Sequence, residues 1–159
     1  MTPAVHLAKR ARVPFEVHEY RHDPAAASYG EEAVRALGVS AERVFKTLVV
    51  SLEPQGHAVA VVPMAGSLDL KALATALGAK RAVLAEPREA ERLTGYLLGA
   101  ISPLGQKRRL DTVVDESALQ RQTIFVSAGR RGLELELAPA VLVELCGAGT
   151  AAIARGAAN

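Results

Sequence analysis

"VFKTLVVSLEPQGHAVAVVP", residues 44–63, sets two β-branched runs on either side of a short break. The runs "VFKTLVVSL" (44–52) and "HAVAVVP" (57–63) have strand composition, and "EPQG" supplies a proline and a glycine for a turn, so the stretch reads as an antiparallel hairpin. Further strands are expected at "FEVHEY" (15–20), where Phe15 and Val17 alternate with Glu16 and His18, and at "RAVLAE" (81–86), "DTVVDE" (111–116), "TIFVSA" (123–128) and "LELEL" (133–137). The last two are joined by a turn through Gly129 and Gly132. Helices are expected from Thr2 and Pro3 to about Arg12, and from Glu31 to Leu37 before Gly38. Others are expected over "LDLKALATAL" with Ser67 as cap and Gly78 as stop, from Pro87 to the glycine-rich loop, and from near Pro139. Strands and helices mix without βαβ alternation. The expected fold class is therefore α+β, a single domain over residues 1–159 with a mixed, strongly curved, barrel-like β-sheet surrounded by helices.

The composition suits one globular domain: 159 residues, 50% hydrophobic, 23% charged and no Trp, with a core of Val, Leu and Ala. The single cysteine, Cys146, excludes an internal disulfide, and the N-terminus lacks the apolar stretch of a secretion signal, so a cytoplasmic setting is expected. No segment reads as a membrane span. A net charge of +2 is too small for non-specific coating of nucleic acid, but the cations cluster at Lys80–Arg81, at Lys107, Arg108 and Arg109, and at Arg130–Arg131.

"HEYRH" (18–22) matches the H-E-x-x-H string of zinc proteases, whose chemistry needs both histidines on one helical face. Here the string lies in a strand pattern between Pro14 and Pro24. An extended chain puts His18 and His22 roughly 13 Å apart, too far for one Zn²⁺. They read as polar histidines near a strand end, and no metal is expected.

"GYLLGAISPLGQKRRLD" (95–111) concentrates glycines, an Ile-Ser-Pro turn and cations. It fails the phosphate-loop pattern, the G-x-G-x-x-G pattern and the G-x-S-x-G nucleophile elbow. What remains is either a tight structural connection or a loop whose backbone approaches a carbonyl or a developing oxyanion. Lys46 shares a strand face with Val44, Leu48 and Val50, so its ammonium either snorkels to the strand end or serves a site. Ser127 is either a turn residue bonding its own backbone or a hydroxyl facing a pocket, and Tyr20 is either a core-edge aromatic or a ligand contact. Cys146, on an apolar helix with no paired histidine, reads as packing.

Taken together, "VFKTLVV", "PMAGSLDLKALATALGAKRA", "TGYLLGAISPLGQKRRLDTVVD" and "IFVSAGRRGLELEL" closely resemble the YbaK family of free-standing aminoacyl-tRNA deacylases, relatives of the editing domain of bacterial prolyl-tRNA synthetase. The resemblance covers essentially the whole chain, including "MTPAVHLAKRARVPFEVHEYRHDP". It implies trans editing, chiefly of cysteine misattached to proline tRNA, with mischarged Cys-tRNA(Pro) as the bound substrate and prolyl-tRNA synthetase as a partner in a ternary complex. No cofactor is implied. The family's site residues fall on Lys46, Tyr20, Gly99 and Ser127: the lysine orients the tRNA 3′ end and its ester, and the glycine loop approaches the aminoacyl carbonyl. Around these, Ala100, Ile101, Ser102, Pro103, Lys107, Arg108, Arg109 and Arg130 are expected to bind substrate, the basic clusters cradling the acceptor stem. One departure stands out: the usual "GGISP" is "GAISP", and the Ala100 methyl is expected to bear on pocket width or on φ.

The family's chemistry uses the substrate's own thiol, which attacks its carbonyl and cyclises away from the tRNA, so the protein has to orient and to stabilise an oxyanion. Two other classes stand beside this one: an editing enzyme for alanine or another small amino acid, and a catalytically silent tRNA- or synthetase-binding module. "GQKRR" after the loop favours the cysteine enzyme over the first. The presence of Lys46, Gly99 and Ser127 disfavours the second.

Overall fold

The computed structural model describes residues 1–26 and 28–156. Helix α1 (Pro3–Ala11) is capped by the Thr2 hydroxyl, which accepts from the Val5 N–H at 3.2 Å, and strand β1 (Glu16–Glu19) follows. Helix α2 (Tyr29–Leu37) begins ahead of the expected Glu31 because Ser28 is its cap. The hairpin is present as β2 (Phe45–Glu53) and β3 (His57–Pro63), antiparallel from Phe45 opposite Pro63 to Ser51 opposite His57. Strand β4 (Ser67–Leu68) leads into α3 (Leu70–Leu77), and here the expected cap is corrected. Asp69 accepts from the Ala72 N–H at 3.0 Å, while Ser67 is drawn into the short strand. Strand β5 (Arg81–Leu84) and helix α4 (Pro87–Thr94) precede the glycine loop. After it come β6 (Asp111–Asp115), a 3-10 turn (Glu116–Gln120), β7 (Ile124–Arg130), β8 (Leu133–Leu137) and α5 (Pro139–Cys146). Strands β9 (Gly149–Ala151) and β10 (Ala154–Arg155), which the sequence pattern does not announce, end the described chain.

The α+β class holds, with mixed pairing. The ladders form three sheets, none closed on itself among the described residues, in place of the single barrel-like sheet expected: β5-β2-β3-β6-β9, β1-β8-β7 and β10-β4. β6 runs parallel to β3 and β9 parallel to β6, whereas β2 is antiparallel to both its neighbours. The hairpin is covered on both faces, which explains its nearly unbroken apolar runs. Phe45, Val49, Val59 and Val61 pack into one cluster with α1, α4 and α5, while Val50, Ala58, Ala60 and Val62 pack with Leu73 of α3 in a second. Each fully buried valine contributes about 1.5–3 kcal/mol, so the hairpin anchors both cores.

The start of β2 is tied to β7 by a parallel bridge from Val44 to Phe125 and by the Phe125 N–H donating to the Arg43 carbonyl at 2.8 Å. That junction brings Lys46 and Ser127, far apart in sequence, to one place. No helix among the described residues is long and apolar enough to cross a membrane.

Candidate active site

A cavity of about 530 Å³ opens at this junction, walled by the start of β2, the end of β7, β8, the glycine loop and the first turn of α2. Tyr20, Lys46, Gly99, Ile101, Ser127 and Arg130 all line it. The Lys46 face of β2 therefore changes character along the strand. Val50 at the far end is core, and Lys46 at the near end is half-buried against the cavity, with no ion pair among the described residues.

Ser127 combines the two roles left open for it. Its hydroxyl donates to the Ala100 carbonyl at 2.9 Å and accepts from the Gly129 N–H at 3.1 Å, so it pins the glycine loop to β7 while facing the cavity. Tyr96 pins the loop from within, its hydroxyl donating to the Leu104 carbonyl at 2.5 Å. Gly99 has φ +89°, and a Cβ there would lie 1.6 Å from Tyr29 Cε2, so only glycine lets the loop backbone come this close to the ring. Tyr20 is a neutral phenol: burial first, then the charges of Glu134 and Glu32, push it up to about 12.

The remaining expected residues lie elsewhere. Ala100 is buried and does not line the cavity, and its φ is not in the left-handed region, so its methyl neither narrows the cavity nor strains the loop. Ser102 is fully buried, its hydroxyl accepting from the Leu104 N–H at 3.2 Å. Pro103, Arg108 and Arg109 line a separate depression, and Lys107 is exposed, its N–H bonded to the Thr94 carbonyl at 2.9 Å. Lys80 and Arg81 line a third. The basic clusters thus do not share one surface with the cavity; only Arg130 and Arg131 do.

Three cavity residues, Glu134, Tyr29 and Thr47, escaped the sequence reading as site groups. Glu134 pairs directly with Ser127 across β7 and β8, so both side chains project from one face of the sheet. It is buried, and burial pushes its carboxyl up to about 8. Tyr29 lies over Gly99, and the Arg131 guanidinium stacks 3.6 Å from the Tyr29 ring centroid. The Thr47 hydroxyl is buried on the cavity wall with no partner among the described residues. In "LELEL" strict alternation assigns both glutamates to solvent, and only the pairing of Glu134 with Ser127 reveals otherwise. The "HEYRH" histidines do not line the cavity: His18 Nε2 meets Glu136 at 2.8 Å, and His22 Nδ1 meets Glu32 at 2.7 Å. Cys146 lies in the second depression, its thiol donating to the Pro103 carbonyl at 3.4 Å and pushed by burial up to about 12.

Residues 23–145 match the aminoacyl-tRNA editing domain family. The chain is 38% identical over 144 residues to the Enterococcus faecalis protein named "Putative Cys-tRNA(Pro)/Cys-tRNA(Cys) deacylase EbsC", which covers 91% of this chain and 87% of that one. It is 36% identical over 79 residues, 48% of this chain and 47% of the other, to the Escherichia coli "Multifunctional Ser/Thr-tRNA deacylase ProXp-y". Among solved structures, one described as "a putative trans-editing enzyme for prolyl tRNA synthetase" superimposes with a TM-score of 0.82 at 26% identity over 98% of this chain and 99% of that one. A hypothetical protein superimposes at 0.87 and 27% identity over 96% and 99%. The chain belongs to the aminoacyl-tRNA editing family and, with it, to the editing enzymes.

Proposed function

We propose that this protein is a trans-editing deacylase that removes cysteine misattached to proline tRNA, with the substrate's thiol as nucleophile. The observation that carries the reading is the composition of the cavity. It places the Lys46 ammonium, the buried Glu134 carboxyl and the Gly99 backbone around one space, while the hydroxyl expected to act there, that of Ser127, is committed to the loop.

In this reading Lys46 holds the 3′ end of the tRNA and its ester. Glu134 receives the substrate's α-ammonium, a cation that a desolvated carboxyl with no ion pair among the described residues would bind strongly. The loop backbone at Gly99 faces the aminoacyl carbonyl, where fixed dipoles stabilise developing negative charge. Sulfur bonds to the carbonyl carbon, the bond to the ribose oxygen breaks, and the thiol proton ends on that oxygen. A free tRNA 3′ end and a cyclic thioester leave. The identity of the tRNA is supplied by prolyl-tRNA synthetase in a ternary complex, a reading supported by the structural neighbour described as a trans-editing enzyme for that synthetase.

One observation favours a second substrate. The unpartnered Thr47 hydroxyl suits a hydroxylated side chain, and the Escherichia coli relative bears a Ser/Thr-tRNA deacylase name. A deacylation panel of tRNAs charged with Cys, Ser, Ala and Pro, with products identified by mass, separates the two. Rapid release from Cys-tRNA as a cyclised product and slow release from Ser-tRNA are expected. Equal rates on Cys and Ser would overturn the thiol mechanism.

A further inference from the structure

Behind the glycine loop lies a second depression of about 280 Å³, and it gathers three arginines from two distant parts of the chain: Arg10 at the end of α1, and Arg108 and Arg109 at the end of the loop. All three are exposed, and none makes an ion pair within 4.0 Å among the described residues. Glu89 feels the charge of Arg108, but its carboxylate is already bonded to Arg92 at 3.1 Å.

The floor is built rather than incidental. Arg109 lies against Gly147, where a Cβ would come within 2.3 Å of Nη2, so the glycine after α5 leaves the room in which the guanidinium rests. The loop beneath is held by α1: a Cβ on Gly105 would lie 2.7 Å from the Pro3 carbonyl carbon. Convergent guanidiniums in a concave surface focus a positive field, and their forked N–H groups match phosphate oxygens two at a time. Gly99 and Ile101 line the cavity, and Pro103 and Leu104 line the depression. From Ile101 to Pro103 the chain spans at most about 7 Å. A polynucleotide whose 3′ end entered the cavity would have backbone phosphates within reach of this second face.

We propose that the Arg10, Arg108 and Arg109 depression is a phosphodiester subsite for the tRNA backbone, separate from the aminoacyl cavity. The inference rests on the tRNA reading of the chain but not on its deacylase chemistry. Its test is therefore binding of uncharged tRNA to the full chain, read as the slope of log K against log salt concentration. Three phosphates on a duplex contribute about 2.7 to that slope at ~0.9 each. The triple variant R10Q/R108Q/R109Q is expected to lower the slope by about 2–3, and R10K/R108K/R109K, which keeps the charges, to restore it. An R35Q/K71Q/R88Q variant removes the same charge from exposed positions that line neither the cavity nor this depression and is expected to leave the slope nearly unaltered. The proposal is overturned if the glutamine variant keeps the parent's slope, or if the Lys71 set lowers it equally. It is also overturned if inorganic phosphate at millimolar concentration binds the parent but not the glutamine variant without displacing tRNA, which would mark a site for free phosphate. A parent that binds tRNA in this way yet deacylates nothing would refute the deacylase reading and leave the subsite standing.

Discussion

Replacing Glu134 with glutamine should stabilise the protein while weakening its grip on substrate. The carboxyl is buried opposite Ser127, and burial raises its pKa from 4.5 to about 8. Between those values the folded chain holds a proton that the unfolded chain has released. Stability contributed by the neutral carboxyl is thus present at low pH and is lost as pH rises toward 8, at ~1.4 kcal/mol per pH unit. By pH 7 this amounts to on the order of 3 kcal/mol, a large share of the marginal stability of a domain. Glutamine has nearly the same shape and does not titrate, so E134Q should show the parent's stability near pH 4.5 and exceed it increasingly up to pH 8. Urea denaturation of both proteins at half-unit intervals from pH 4.5 to 8.5 reads the difference directly. The same substitution removes the carboxyl assigned to the α-ammonium, so above pH 8, where that carboxyl is ionised, KM for the charged tRNA should rise by about tenfold or more, as expected for a lost charge-assisted hydrogen bond of ~1.5–3 kcal/mol. Parallel pH–stability curves for the two proteins would refute the buried-carboxyl argument. A stabilised E134Q with an unaltered KM would refute the ammonium assignment alone.

Lys46→Ala should retain the fold and lose deacylation by ~10²-fold or more, because orientation of the ester is the chief help the site offers; single-turnover release from charged tRNA checks this. Gly99→Ala forces φ +89° on an alanine and drives a methyl into the Tyr29 ring, costing about 1–3 kcal/mol of stability together with most activity. Thermal denaturation and the same release assay read the two losses. Cys146→Ser should keep deacylation within about twofold, since the thiol lies outside the cavity and burial holds it protonated with a pKa of about 12; abolished turnover would return the nucleophile to the protein.

The elements that sequence patterns announced correctly are those whose signals are local: the β2–β3 hairpin, the Thr2 cap, and the glycines that stop α2 and α3. Ser67 failed as a cap because a competing demand, pairing of Ser67 with Arg155 on β10, is invisible at a distance of many residues, and Asp69 supplied an equally good acceptor. The site divides along the same line. Lys46 stood out because an ammonium on an apolar strand face violates a local pattern, whereas Glu134 obeyed its pattern and so stayed hidden. Its burial follows from sheet order, which sets β8 between β1 and β7 and turns the second face of "LELEL" toward the cavity instead of water. The loop cations show the converse. "QKRR" is contiguous in sequence, yet the chain passes behind its own wall between Ile101 and Pro103, so Arg108 and Arg109 face a different surface from Gly99. A ligand that touches both surfaces has to be long, polyanionic and able to end in a small group that fits 530 Å³. A charged tRNA has those three properties, and a free amino-acid ester has only the last.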